Sequence, residues 1–165
     1  METLKAIAER HATRAYAAKP VPKDILEKII DAGRRAPSAR NEQPLEFVLV
    51  TKPELRQKLA DLVDYGKFIA QAPACAAVFS KDDKYFVEDG SAATENILVA
   101  AAGLEVQSCW VAGDKKPYAA DVAKLLKAPS GYRLLSLVPL GYAQDPQEER
   151  APKRPLKDIL HWESF

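Results

Sequence analysis

The sequence is poor in the residues that carry most enzymatic chemistry: of 165 residues, two are histidine, two cysteine and one methionine. With only His11, His161 and two distant cysteines, no set of ligands has the close spacing of a zinc or iron site. None of the seven glycines lies two residues from another, which removes the G-x-G dinucleotide fingerprint, and no G-x-x-x-x-G-K-[ST] phosphate loop occurs. The G-x-S-x-G elbow is missing and neither cysteine has an adjacent base, so nucleophilic hydrolysis has no candidate. Charge of one sign is also lacking: 24 basic side chains against 23 acidic ones leave no overall field for wrapping nucleic acid or coating an anionic membrane. The longest apolar stretches, Ile97 to Ala102 and Leu134 to Leu140, fall far short of the roughly 20 residues a bilayer span requires. Met1 to Arg10 lacks the order of an export signal, and Cys75 and Cys109 lie in apolar runs that suit buried thiols in a reducing compartment. The expected location is the cytoplasm. These exclusions pass the hard chemistry to a bound cofactor.

What is present is a chain sized for one domain, residues 1–165, of mixed helices and strands. Leu4, Ile7, Ala8 and His11 recur at helical spacing after Thr3, a candidate N-cap, and predict a helix to about Thr13. Pro22 opens a second helix at its first position, with Ile25, Leu26, Ile29, Ile30 and Gly33 on one face and Pro37 as its stop. Leu45 to Val50 reads as a strand, and Thr51 to Glu54 as a capping box before a helix carrying Leu55, Leu59, Leu62 and Val63. A short helical piece over Tyr65 to Gln71 leads to a buried strand, Ala74 to Phe79, and then to an Ala-rich helix, Tyr85 to Gly103, whose thin surface permits close approach of another backbone. Val106 to Ala112 reads as one strand, Pro117 to Leu126 as a helix, and Tyr132 to Tyr142 as a strand in which Pro139 favours an edge or a bulge. The polar, Pro-rich stretch Asp145 to Pro155 is expected to cross the surface before an apolar tail, Leu156 to Trp162, that needs something to dock on. Without strict βαβ alternation, the pattern predicts an α+β sandwich.

Four segments stand out. The first is Arg10-His11-Ala12-Thr13-Arg14-Ala15-Tyr16, and the second Ala36-Pro37-Ser38-Ala39-Arg40-Asn41-Glu42-Gln43-Pro44. The third runs from Asp89 through Asn96 to Trp110, Ala112 and Gly113, and the fourth is Lys153-Arg154-Pro155 through His161-Trp162. Together they resemble the FMN-dependent nitroreductase family, over nearly the whole chain, with A-P-S-x-x-N-x-Q-P the most specific match. Ala12 stands where the family usually has Ser, Glu42 where an apolar residue is common, and Glu105 and Gln107 where Gly is frequent.

The resemblance implies a nitroreductase-like fold with a central mixed sheet, tightly bound FMN, NAD(P)H as reductant, and a homodimer with shared sites onto which the C-terminal tail docks. It assigns Arg10 to the FMN phosphate and Arg14 to the pyrimidine edge of the ring, with His11 and Ala12 between them. An Arg fork suits a phosphate of roughly two negative charges. Pro37, Ser38, Ala39 and Asn41 meet the flavin of the partner subunit, and Trp110 runs beside the ring, with the Ala112 and Gly113 amides reaching toward it. Lys153 and Arg154 close on the phosphate, and Lys67 is a further candidate for the ring edge. The plainer readings are solvated arginines, a helix-to-strand loop, a surface lysine and a Trp110 packed in the core; His161 and Trp162 are assigned to packing. The implied activity is a ping-pong, two-electron reduction of nitroaromatic or quinone-like acceptors. A same-fold dehalogenase, flavin destructase or dehydrogenase, and an FMN storage or sensor protein, stay open.

Overall fold

The structure, a computed structural model, describes residues 2–145 and 152–165. The strand β2, Ala74–Lys81, is buried along nearly its whole length, and its alternation divides the core in two. Ala74, Ala76 and Val78 belong to one layer, Cys75, Ala77 and Phe79 to the other. A strand apolar on both faces needs a cover on each. On one face lie α2, Lys23–Arg34, and α4, Phe86–Gly103, which pack Leu26, Ile29, Ile97 and Ala101 into the first layer. On the other lie α3, Pro53–Leu62, and α5, Ala119–Leu125, which contribute Leu59, Ala60 and Val122. Each fully buried Ile or Leu contributes about 1.5–3 kcal/mol.

Small residues set the helix spacing. A Cβ on Gly33 of α2 would stand 2.7 Å from Ile97 Cγ1 of α4, and one on Gly90 would stand 2.6 Å from Leu135 Cδ2. The thin surface expected of α4 is thus used against β5, Tyr132–Gly141.

β1, Leu45–Val50, pairs with β2, which pairs with β5. The far side of β5 carries β3, Gln107–Ser108, and β4, Val111–Ala112. Every ladder between these strands is antiparallel; among the described residues the parallel component of the sheet is the isolated bridge Ala12–Ser108.

Tertiary contacts move several predicted boundaries. Helix α1, Thr3–Glu9, stops short of Thr13 because the next residues are recruited by the sheet: Thr13 N–H donates to the Ser108 carbonyl at 3.0 Å. Its N-cap is Glu2 rather than Thr3. Pro22 is the N-cap of α2, one residue before the first helical position. The capping box at Thr51 does not form; Lys52 caps α3, and the Thr51 carbonyl accepts from Arg56 Nε at 3.4 Å. The expected strand from Val106 to Ala112 is two short pieces, and the helix expected from Pro117 begins at Ala119.

Pro139 sits at neither an edge nor a bulge. β5 is an interior strand, but Pro139 faces the gap where β3 gives way to β4, so its missing N–H breaks no ladder there. The bulge lies earlier, where Phe79 pairs with Leu134 after Val78 pairs with Ser136, leaving Leu135 as the extra residue.

Candidate functional site

The segment from Arg10 to Tyr16 is held as an irregular strip along the sheet. Ala12 bridges to Ser108 and Tyr16 to Ala143, and Gln144 N–H donates to the Ala15 carbonyl at 3.0 Å. The buried Tyr16 hydroxyl anchors the strip by donating to the Thr13 carbonyl at 2.7 Å. Arg14, between these ties, is exposed and lines a cleft of about 580 Å3. The same cleft is lined by Lys67, Phe68, Trp110, Ala112, Lys116 and Tyr118. Its volume lies within the range of small-molecule sites.

Four candidates from three distant segments, Arg14, Lys67, Trp110 and Ala112, therefore meet at one cavity. Trp110 is 38% exposed, which corrects its reading as core packing and leaves an indole free to flank a planar ligand. Lys67 stands in a 3-10 turn, Lys67–Ala70, where its ammonium donates to the carbonyls of Ala60 at 2.9 Å and Asp61 at 3.1 Å. These carbonyls belong to the last turn of α3, whose acceptors have no intrahelical partner. The lysine thus caps a helix end while its charge is held at the cleft wall.

Arg56 fixes that turn from behind. Its buried guanidinium donates to the carbonyls of Ala70, at 2.8 Å, and Ala72, and burial pulls its pKa below the ordinary value. Only the folded chain brings α3 against residues 70 and 72, so spacing gave no sign of this role.

The backbone at β4 divides its hydrogen-bonding groups. Gly113 N–H donates to the Leu135 carbonyl at 2.8 Å, and Asp114 N–H donates to the same oxygen at 3.0 Å. The Gly113 amide, expected to reach a flavin, is therefore spent on the bulge. Antiparallel alternation then places Ala112, opposite Ser136, in a pair that exchanges no ladder bonds, so its N–H and C=O point away from β5. The Ala112 carbonyl accepts from the Tyr118 hydroxyl at 2.5 Å. Burial, followed by the charge of Asp64, pushes the Tyr118 pKa up, which keeps this hydroxyl a neutral donor. Tyr118 was not legible as a site residue, because in sequence it is simply the residue after Pro117.

Other candidates lie elsewhere. Arg10, at the C-cap of α1, pairs loosely with Glu95 at 3.7 Å, and His11 Nδ1 lies 3.0 Å from the Glu9 carbonyl. The loop with Pro37, Ser38, Ala39 and Asn41 is stabilised by Ser38 Oγ, which accepts from Gln43 N–H at 2.9 Å, and by buried Asp89, which accepts from Ala39 N–H at 3.0 Å. Arg40, Asn41 and Gln43 all take positive φ of 52–57°, an uncommon conformation for residues with a Cβ. This loop precedes β1, three strand intervals from β4, or about 14 Å across the sheet. Within one chain, loop and cleft are apart. Lys153 and Arg154 lie in an exposed tail, where Arg154 donates to the Asp158 carbonyl at 2.9 Å. His161 stacks near Phe165 at 4.6 Å, and Trp162 is exposed, so neither packs into this chain's core. The region 146–151 of the expected surface crossing lies outside the described residues. Among the described residues no group of three or more metal-ligating side chains forms a metal site, and no helix is long and apolar enough to cross a membrane.

A flavin mononucleotide makes three demands: a flat face, a donor for its polar ring edge and positive charge. The cleft has exposed Trp110, the outward amide of Ala112, and the positive charges of Arg14 and Lys67. The residues fit the group.

Comparison with known proteins identifies the family. The model of the nitroreductase family matches residues 7–65 and 63–142. A protein of Archaeoglobus fulgidus with the provisional name NADH dehydrogenase/NAD(P)H nitroreductase is 34% identical, covering 99% of both chains. The FMN reductase [NAD(P)H] of Bacillus subtilis is 26% identical over 99% of this chain and 74% of its own length. Among solved structures, an FMN-dependent nitroreductase of Clostridium difficile superposes with a TM-score of 0.88 at 25% identity, over 98% of this chain and 99% of that one. The fold, the cleft and these matches together make the chain a member of the nitroreductase family.

Proposed function

We propose that the protein is an FMN-dependent oxidoreductase that uses NAD(P)H to reduce nitroaromatic or quinone-like acceptors by a ping-pong, two-electron exchange. One observation carries the reading: Arg14, Lys67, Trp110 and Ala112 come from three separate segments and line one cleft. Held by these residues, FMN would supply the redox chemistry, two-electron exchange between a nicotinamide and the acceptor. The protein's own groups bind and orient. Trp110 flanks the ring, the Ala112 amide donates to its polar edge, and Arg14 with Lys67 supplies the positive charge that favours electron uptake by the ring. No side chain of the cleft is needed as nucleophile.

The functional unit is a homodimer with shared sites. Support comes from the tail, where Leu156, Ile159, Leu160, Trp162 and Phe165 are all exposed, an apolar surface that a second copy would cover. Support comes also from the loop at Pro37, Ser38, Ala39 and Asn41, which does not line its own cleft. In the dimer this loop, Arg10, His11 and Ala12, and the pair Lys153 and Arg154 complete the cofactor site, with the basic residues at the phosphate. Gly113 serves it by shape, holding Ala112 in place, rather than through its amide.

The purified protein is expected to show oxidised-flavin absorbance and to bleach rapidly on anaerobic addition of NADH or NADPH. Arg14→Ala is expected to weaken FMN binding and lower the flavin reduction potential. A colourless protein indifferent to added FMN overturns the cofactor; a yellow protein that neither nucleotide bleaches is a flavin-binding module instead.

A further inference from the structure

Lys116 is the cation of the cleft that the flavin reading leaves unused. It lines the cleft and also a neighbouring groove of about 470 Å3, formed by Pro117, Ala119, Ala123, Tyr132 and Leu134. The other cations of that groove are engaged. Arg133 donates to Asp82 and Asp114 at 2.8 Å each and lies over the Phe86 ring, and Lys115 stands 4.0 Å from Asp114. Lys116 has no carboxylate partner among the described residues. Its backbone is fixed on both sides: its N–H donates to the Gly113 carbonyl at 3.3 Å and its carbonyl accepts from Ala119 N–H at 3.0 Å. The root of the side chain is therefore fixed at the rim of the cleft, whose aromatic walls are Trp110, Phe68 and Tyr118.

An unpaired ammonium at the rim of an aromatic-walled cleft attracts a planar molecule bearing negative charge. We propose that Lys116 receives an anionic substituent of the electron acceptor, so that the enzyme favours aromatic acceptors carrying a carboxylate over neutral ones of the same shape. The proposal rests on the flavin reading of the cleft. Lys116 is a specificity-determining residue here: it adds attraction to one class of acceptor and leaves the electron transfer unchanged.

The test compares para-nitrobenzoate with its neutral analogue para-nitrobenzamide, using FMN-loaded wild type and Lys116→Gln. Lys116 is exposed, so the variant is expected to fold and hold flavin as wild type does. Its kcat/KM for para-nitrobenzoate should fall about three- to tenfold through KM, with para-nitrobenzamide unchanged within about twofold. Without turnover, the Kd of para-nitrobenzoate, read from the absorbance change of the oxidised bound flavin, should rise by the same factor. Equal effects on both acceptors, or none on either, overturn the proposal. A variant whose KM rises for NAD(P)H alone also overturns it and assigns Lys116 to a nucleotide phosphate. A wild-type protein that holds no flavin defeats the flavin reading and this proposal together, whereas a yellow, NAD(P)H-bleached protein indifferent to Lys116→Gln defeats this proposal only.

Discussion

The hydroxyl of Tyr118 donates to the carbonyl of Ala112 at 2.5 Å, tying the start of α5 to the edge strand β4. The bond anchors the peptide at which β4 leaves the ladder. Tyr118→Phe keeps the ring in its buried layer but leaves the carbonyl without this donor, at a cost of about 0.5–1.5 kcal/mol. FMN affinity, followed by quenching of flavin fluorescence, should fall more than this loss of stability explains, because the Ala112 amide loses its orientation. Unchanged affinity with lowered stability would reduce Tyr118 to a packing residue. The pH dependence has a definite sign. Its folded pKa is raised, so the contribution is complete below the unfolded value of about 10 and is lost as pH rises through the folded one. Wild type minus Tyr118→Phe stability should thus be flat between about pH 6 and 9.

Gly113 passes β5 where a Cβ would meet Leu134 Cγ at 2.6 Å and the Leu135 backbone carbon at 2.9 Å. Backbone cannot yield as a flexible side chain does. Gly113→Ala should cost about 1–3 kcal/mol in urea unfolding and weaken FMN binding by displacing Ala112. An alanine variant with wild-type stability and affinity would mean that β4 shifts freely.

Glu105 has φ of +61°, past the end of α4, where its N–H donates to the Ala102 carbonyl and the Val106 N–H to the Ala101 carbonyl. This is the Schellman arrangement, which favours Gly at the residue Glu105 occupies. Glu105→Gly should stabilise the protein by about 0.5 kcal/mol, the relief of left-handed strain less the entropy of a freer unfolded chain. Thermal melting should rise by about 1–2 °C, while Glu105→Ala should give no increase. An equal gain from both would place the effect in the lost charge.

A chain ending at Arg150 removes Lys153, Arg154 and the exposed apolar tail. It should sediment as monomer, melt at lower temperature and release FMN on gel filtration. A truncated protein that stays dimeric and yellow would show that tail and basic pair are dispensable.

Legibility in the sequence followed the range of the interaction involved. Leu45 to Val50 was readable as a strand to the residue, and α4 nearly so, because apolar alternation and Ala content are local properties. The end of α1 was not: residues 10–13 continue a helical pattern, yet Thr13 gains a hydrogen bond to Ser108, 95 positions away in the chain. Pro139 misled for the same reason, since whether its missing N–H matters depends on which strand lies opposite. In the site, Arg14, Trp110 and Ala112 were found through their segments' resemblance, while Arg56, Lys116 and Tyr118 belong to no recognisable pattern.

By itself the amino-acid sequence determined the α+β class, the absence of metal and nucleotide-loop motifs, and the four segments that mark the family. Those follow from residue type and near-neighbour spacing, which the unfolded chain already contains. The tertiary structure alone decided that Gly113's amide is spent on Leu135 while Ala112's points outward, that Trp110 is open rather than packed, and that Lys116 stands without a carboxylate among the described residues. Each depends on which backbone groups and charges the sheet brings within a few ångströms, a choice made by strand register and the bulge at Leu135.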